Sequence, residues 1–202
     1  MKNKNIINLT IEKDGFNKFN GNLFDLDEEK INKSFDLNYS DPRFRNNNYE
    51  NVAILNFEDI KKTIYNEILS KIYSILTFNN LNYVFQSLWL QNSNSEYSNL
   101  NINELPFIPH IDKRRCLKVM IYLNEINKRS GPINLTKTKP ENFEKIRKNL
   151  GIDYQVKKEN VIYSIPIEKY ISCDGSFGTS IFFDTNTPHF AGQINDVKAF
   201  RK

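Results

Sequence analysis

Past Asn79-Asn80 the apolar residues stop recurring every three or four positions and gather in short runs split by polar turns. That change of period excludes a helix bundle for the larger part of the chain and points to a β-sandwich or barrel. The runs that read as strands are 83–91, 117–123, 133–135, 161–165, 167–171 and 180–183. Ser130-Gly131-Pro132 turns into the third of them, and Gly175 and Gly178 precede the last. Between them, 140–150 reads as a helix, with Pro140 near its first turn and Gly151 just past its end.

The N-terminal part differs. Residues 6–11 alternate weakly, as a short strand would, and Asp14-Gly15 turns the chain ahead of Phe16 and Phe19. From Asn20 to Glu50 the chain is rich in Asn, Asp and Lys, and loops with short helices are expected. Asn56 is a good N-cap, and Ile60, Ile64, Ile68, Leu69, Ile72, Ile75 and Leu76 follow at helical spacing. A chain of 202 residues without visible linker or repeat reads as one domain. Residues 1–80 would form a mixed helical layer and 81–202 a β core.

Composition narrows the function. The formal net charge of +4 comes from basic residues scattered among acidic ones, not from the dense run of a nucleic-acid arm. No stretch approaches a membrane span, and the polar opening is unlike a signal peptide. Cys116 and Cys173 form no CxxC pair and read as reduced thiols. The expectation is a cytoplasmic monomer or homodimer acting on a small molecule, with neither nucleic acid nor membrane as partner.

The chain has two histidines, and both stand where a metal site would need them. His110 is followed two positions later by Asp112, and on an extended strand those side chains project to one face while Ile111 projects to the other. About eighty residues on, His189 ends the apolar run that begins at Ile181, and a distant strand can pair close by in a barrel. Two imidazoles and one carboxylate on one face of an octahedral ion leave three positions open, the arrangement of Fe(II) oxygenases. Those positions suit a bidentate 2-oxo acid and then O2. Asp184, five positions before His189, does not share its strand face, so Asp112 is the preferred carboxylate. Taken alone, a His two residues before an Asp is as common in a surface loop; it is the conjunction with the second histidine that carries weight.

With these motifs the chain resembles the phytanoyl-CoA dioxygenase-like family of Fe(II)/2-oxoglutarate oxygenases. The matching text is Pro109-His110-Ile111-Asp112, then Leu117 to Ile126, Ser130-Gly131-Pro132-Ile133, Gly178 to Asp184 and Pro188-His189-Phe190-Ala191-Gly192. Asp14-Gly15-Phe16 is similar to the family's opening. The resemblance implies a double-stranded β-helix, a cupin-like jelly-roll barrel with helices on one sheet. It also implies a dioxygenase that hydroxylates or otherwise oxidises a small molecule, with Fe(II) on His110, Asp112 and His189, and 2-oxoglutarate and O2 as co-substrates. Arg201, twelve positions after His189, matches the basic residue that grips the far carboxylate of 2-oxoglutarate; a planar guanidinium suits that contact. Only Lys202 follows it, Ala191 replaces a polar residue common in the family, and the family's Pro-Gly-Ser-His loop is replaced by Asn134 to Lys139.

Further co-substrate contacts are open. Lys118 either points inward to a carboxylate or is an exposed strand lysine. Gln86 and Gln91 flank Trp89, and their alternation lets at most one of them enter a site. Substrate would meet the loops 93–106, 136–138 and 153–160. The alternative is a catalytically inactive jelly-roll protein that binds a metal or small ligand.

Overall fold

The computed structural model describes residues 7–44, 51–95, 103, 105–149, 162 and 164–202. The loop at 153–160 lies outside the described residues, as do Val161 and Tyr163 of the strand expected at 161–165, while its residues 162, 164 and 165 form no strand. The chain divides into two compact units, one of Asp27–Gln91 with the segment ending at Leu9, the other of Thr10–Leu26 and Asn92–Lys202. Among the described residues no helix is long and apolar enough to cross a membrane.

In the first unit, α2 (Glu28–Ser40) starts at Asp27, whose carboxylate accepts the Lys30 N–H. (A single turn of helix, α1, Ile11–Asp14, precedes it in the chain and belongs to the other unit.) Ile31 and Phe35, four apart, bury one face of α2 against a hairpin-like pair, β2 (Val52–Leu55) and β3 (Leu88–Gln91), antiparallel with Val52 opposite Gln91. Only the second half of the expected 83–91 strand is paired, because its partner has four residues to offer. The expected helix from Asn56 arrives as two pieces, α3 (Phe57–Ile60) and α4 (Tyr65–Phe78). Thr63 makes the break: its hydroxyl donates to the Ile60 carbonyl and accepts the Tyr65 N–H, drawing the backbone off the helical ladder. Ile64, at the break, is exposed and leaves the apolar face that Tyr65, Ile68 and Leu76 bury.

The second unit is mainly β. After α1, Gly15 turns the chain in the left-handed region (φ 81°) into β1 (Phe16–Phe19), so 7–10 form no strand. β4 (Ser93–Asn94), β5 (Leu117–Ile121) and β6 (Ile133–Thr136) follow. A 3₁₀ turn (Pro140–Phe143) runs into α5 (Glu144–Asn149), where one helix was expected. Residues 167–169 are a 3₁₀ turn instead of strand, leaving β7 at Tyr170–Ser172. β8 (Ser180–Asp184), β9 (His189–Ala191) and β10 (Phe200–Arg201) complete the chain.

Two three-stranded antiparallel sheets, β1-β8-β5 and β7-β6-β9, and a short β10-β4 pair make up this unit's described strands. Phe16, Ile181 and Phe183 from the first sheet meet Ile133 and Leu135 from the second in one core, with Tyr122, Ile126 and Cys173. The fold is thus β-rich and mixed, and its described strands do not join into one hydrogen-bonded ring. Ile111 packs on the far side, with Phe143 and Ile162, opposite to His110 and Asp112 as strand alternation requires.

Candidate metal centre

Backbone pairing brings the two histidines together. The His110 N–H donates to the His189 carbonyl at 3.0 Å and the His189 N–H returns the bond at 2.9 Å. Residues paired in this way stand directly opposite each other with side chains on one face, and the two imidazole centroids lie 4.6 Å apart. The Asp112 N–H, two residues on, donates to the Thr185 carbonyl at 3.0 Å, which keeps the carboxylate beside the pair. Asp112 Oδ1 stands 3.9 Å from His110 Nε2 and 3.5 Å from His189 Nε2. All three ligand-type atoms fall within 4.8 Å of one another, on two buried histidines and a half-buried aspartate.

The ring orientations test whether these residues suit an ion. His110 Nδ1 lies 2.8 Å from the Ile108 carbonyl, and His189 Nδ1 lies 2.8 Å from the Thr187 carbonyl. A carbonyl only accepts, so each Nδ1 carries a proton, and Nε2, turned toward Asp112, is the ring atom left for an ion. That is how metal-ligating histidines are held from behind. Burial, with the His189 imidazole beside it, pushes His110 down to about 4, so it is neutral at pH 7. Burial alone would raise the Asp112 carboxyl, but the His189 hydrogen bond and the Lys118 charge outweigh it and hold the group well below the ordinary carboxylate range. Imidazole Nε2 atoms and an ionised carboxylate are the donor set that a divalent ion takes.

Lys118 does turn inward. Its ammonium donates to Asp112 Oδ2 at 2.5 Å, so one carboxylate oxygen faces the imidazoles and the other faces the lysine. Arg201 is half-buried, donates to the Gly131 carbonyl in the turn before β6, and is drawn down from its usual pKa by desolvation. No carboxylate among the described residues pairs with it. His189 lies opposite Leu135 at the other end of β6, roughly four residues or about 13 Å along the strand. Gln86 and Gln91 belong to the first unit, where both are exposed and Gln91 closes β3 opposite Val52. Asp184 is held elsewhere, by Arg115 at 2.8 Å.

Sequence reasoning missed what surrounds Asp184. Arg115 also reaches Glu141 at 2.9 Å and Glu144 at 3.5 Å, and Asn186 donates to Glu144 at 2.9 Å. The signal was present in Asp184-Thr185-Asn186-Thr187, four polar residues directly after an apolar strand and all buried. Such residues are buried only when hydrogen-bonded.

The fold has solved counterparts. EvdO2 from Micromonospora carbonacea var. aurantiaca superposes with a TM-score of 0.60 at 14% identity, over 95% of this chain and 84% of that one; it has also been solved with 2-oxoglutarate. EctD from S. alaskensis, solved with bound Fe, gives 0.57 at 14% identity over 95% and 71%. The epimerase SnoN, in complex with Fe3+, alpha ketoglutarate and nogalamycin RO, gives 0.56 at 14% identity over 95% and 77%. No protein-family model matches the sequence, and no curated protein matches it. EvdO2 and SnoN have thus been solved with the 2-oxo acid, and EctD and SnoN with iron, and at these identities the likeness is one of fold. Within that fold the chain carries two buried histidines and a half-buried aspartate in the arrangement of a facial iron-binding triad.

Proposed function

We propose that the chain is a non-haem Fe(II)/2-oxoglutarate-dependent dioxygenase, built on a double-stranded β-helix, that hydroxylates or otherwise oxidises a small molecule. The observation that carries this reading is the convergence of His110, Asp112 and His189 with both Nε2 atoms turned to one carboxylate oxygen. His110 and His189 would hold Fe(II) through Nε2, and Asp112 through Oδ1. An iron held there would let O2 act as the oxidant, two electrons coming from 2-oxoglutarate as it is decarboxylated to succinate and carbon dioxide and two from the substrate. Arg201, a half-buried guanidinium that among the described residues meets no carboxylate and donates to the Gly131 carbonyl, would take the far carboxylate of the co-substrate. Lys118 would offset negative charge at the near end. Phe183, its ring 5.2 Å from that of His189, and Leu135, opposite His189 on β6, are buried apolar neighbours of the triad, and a low-dielectric wall strengthens charge contacts beside it.

Anaerobic protein loaded with Fe(II) and 2-oxoglutarate is expected to develop a weak visible metal-to-ligand charge-transfer band, and then to release succinate when oxygen and a substrate are admitted. Iron bound at full occupancy without that band would favour the inactive binding protein instead.

A further inference from the structure

Beyond the paired histidines, the two segments that carry the triad are fastened to each other by a residue that is not among the candidate ligands. Thr185, fully buried, sends every polar atom it has into the segment that leaves Asp112. Its carbonyl accepts the Asp112 N–H at 3.0 Å and its N–H donates to the Cys116 carbonyl at 2.9 Å. Its hydroxyl accepts the Cys116 N–H at 2.9 Å and donates to the Arg114 carbonyl at 2.9 Å. Four residues further on stands His189. We propose that the Thr185 hydroxyl is the positioning group that sets Asp112 against His189, and so fixes the spacing of the metal ligands before any metal arrives; this rests on the metal reading above.

The surroundings of Thr185 hold the hydroxyl in its place. On one side Asp184, 5% exposed at its side chain, meets Arg115 at 2.8 Å and accepts the Asn186 N–H at 2.8 Å. On the other, Asn186 donates to the Pro140 carbonyl at 3.2 Å and Thr187 donates to the Gly15 carbonyl at 3.0 Å. A buried polar cluster of this kind adds little net stability over an apolar filling of the same shape, but its bonds are directional. Directional bonds fix a spacing that apolar packing leaves loose. Main-chain bonds alone would tether 112–116 to 184–189, whereas the hydroxyl, bonded at both ends, sets how the Asp112 carboxylate is aimed.

The test titrates Mn(II) into metal-free protein at a temperature well below unfolding, comparing wild type, Thr185→Val and Thr185→Ser, with circular dichroism confirming that each is folded. Valine keeps the shape and loses the hydroxyl; serine keeps the hydroxyl. Thr185→Val is expected to weaken Mn(II) binding about 10-fold or more, the usual effect of losing a group that orients a ligand, and Thr185→Ser to restore the wild-type affinity. A folded Thr185→Val protein that binds Mn(II) as wild type does would overturn the inference while leaving the metal reading intact. Wild-type protein that binds no Mn(II) would overturn the metal reading and the inference with it. Should Thr185→Val fail to fold, Thr185→Ala, which likewise removes the hydroxyl that bonds Cys116 and Arg114, carries the same comparison with the same two outcomes.

Discussion

At Gly15 two demands meet. Its φ of 81° lies in the left-handed region, and a Cβ there would meet the Thr138 carbonyl at 2.8 Å and press still closer on the Thr187 hydroxyl. Its carbonyl in turn accepts from Asp184 and Thr187. The backbone conformation alone costs an alanine ~2 kcal/mol, and the displaced Thr187 adds to it. Gly15→Ala should therefore lower the denaturant midpoint by more than an ordinary loop substitution; an unchanged midpoint would mean that the turn relaxes freely. Cys173 sets a different dependence, on pH. Burial pushes its thiol up to about 12 from an ordinary 9.0, and burial raises the Tyr122 phenol as well. Above pH 9 the unfolded thiol gives up its proton while the folded one keeps it, so stability falls as pH rises from about 9 toward 12. Melting temperatures taken from pH 8 to 10.5 should decline, and less steeply for Cys173→Ala. Equal slopes for the two proteins would remove Cys173 from the account.

Among elements, helix ends and strand lengths decide how much the sequence discloses. Asn56 accepts the Asp59 N–H at 3.0 Å as the cap of α3, the role its position before Phe57 had implied. Asn56→Ala should cost about 1 kcal/mol, visible as a lower midpoint in urea, with Asn56→Asp largely retaining it. The break at Thr63 was not legible, because apolar spacing continues across it through Ile60, Ile64 and Ile68; only the side-chain bonds of Thr63 show why the ladder stops. β8, β5 and β6 fall close to where their apolar runs stand. Residues 167–169 do not, since Pro166 starts a tight turn there. Short strands take their limits from partners elsewhere in the chain, and a single sequence does not name those partners.

For the whole molecule, the site was more legible than the scaffold that holds it. Two histidines in 202 residues leave few ways to build a metal centre, and the alternation of His110, Ile111 and Asp112 fixes which side chains share a face. Nothing in that alternation indicates Arg115, Thr185 or Asn186, whose roles depend on which polar groups are buried together. Because that scaffold is bonded without help from an ion, His110→Ala and Asp112→Ala should fold and yet lose the response to metal. An ion that binds only the folded state stabilises it by about 2.7 kcal/mol at 100 times its Kd. Wild-type protein should then melt at a higher temperature with Mn(II) present, while Asp112→Ala melts at one temperature with or without it. Amide exchange locates the gain: protection should rise at Asp112, Cys116, Thr185 and His189, whose N–H groups are bonded around the triad. A melting shift that persists in Asp112→Ala, or protection that rises everywhere but at those amides, would place the ion on other residues of the chain.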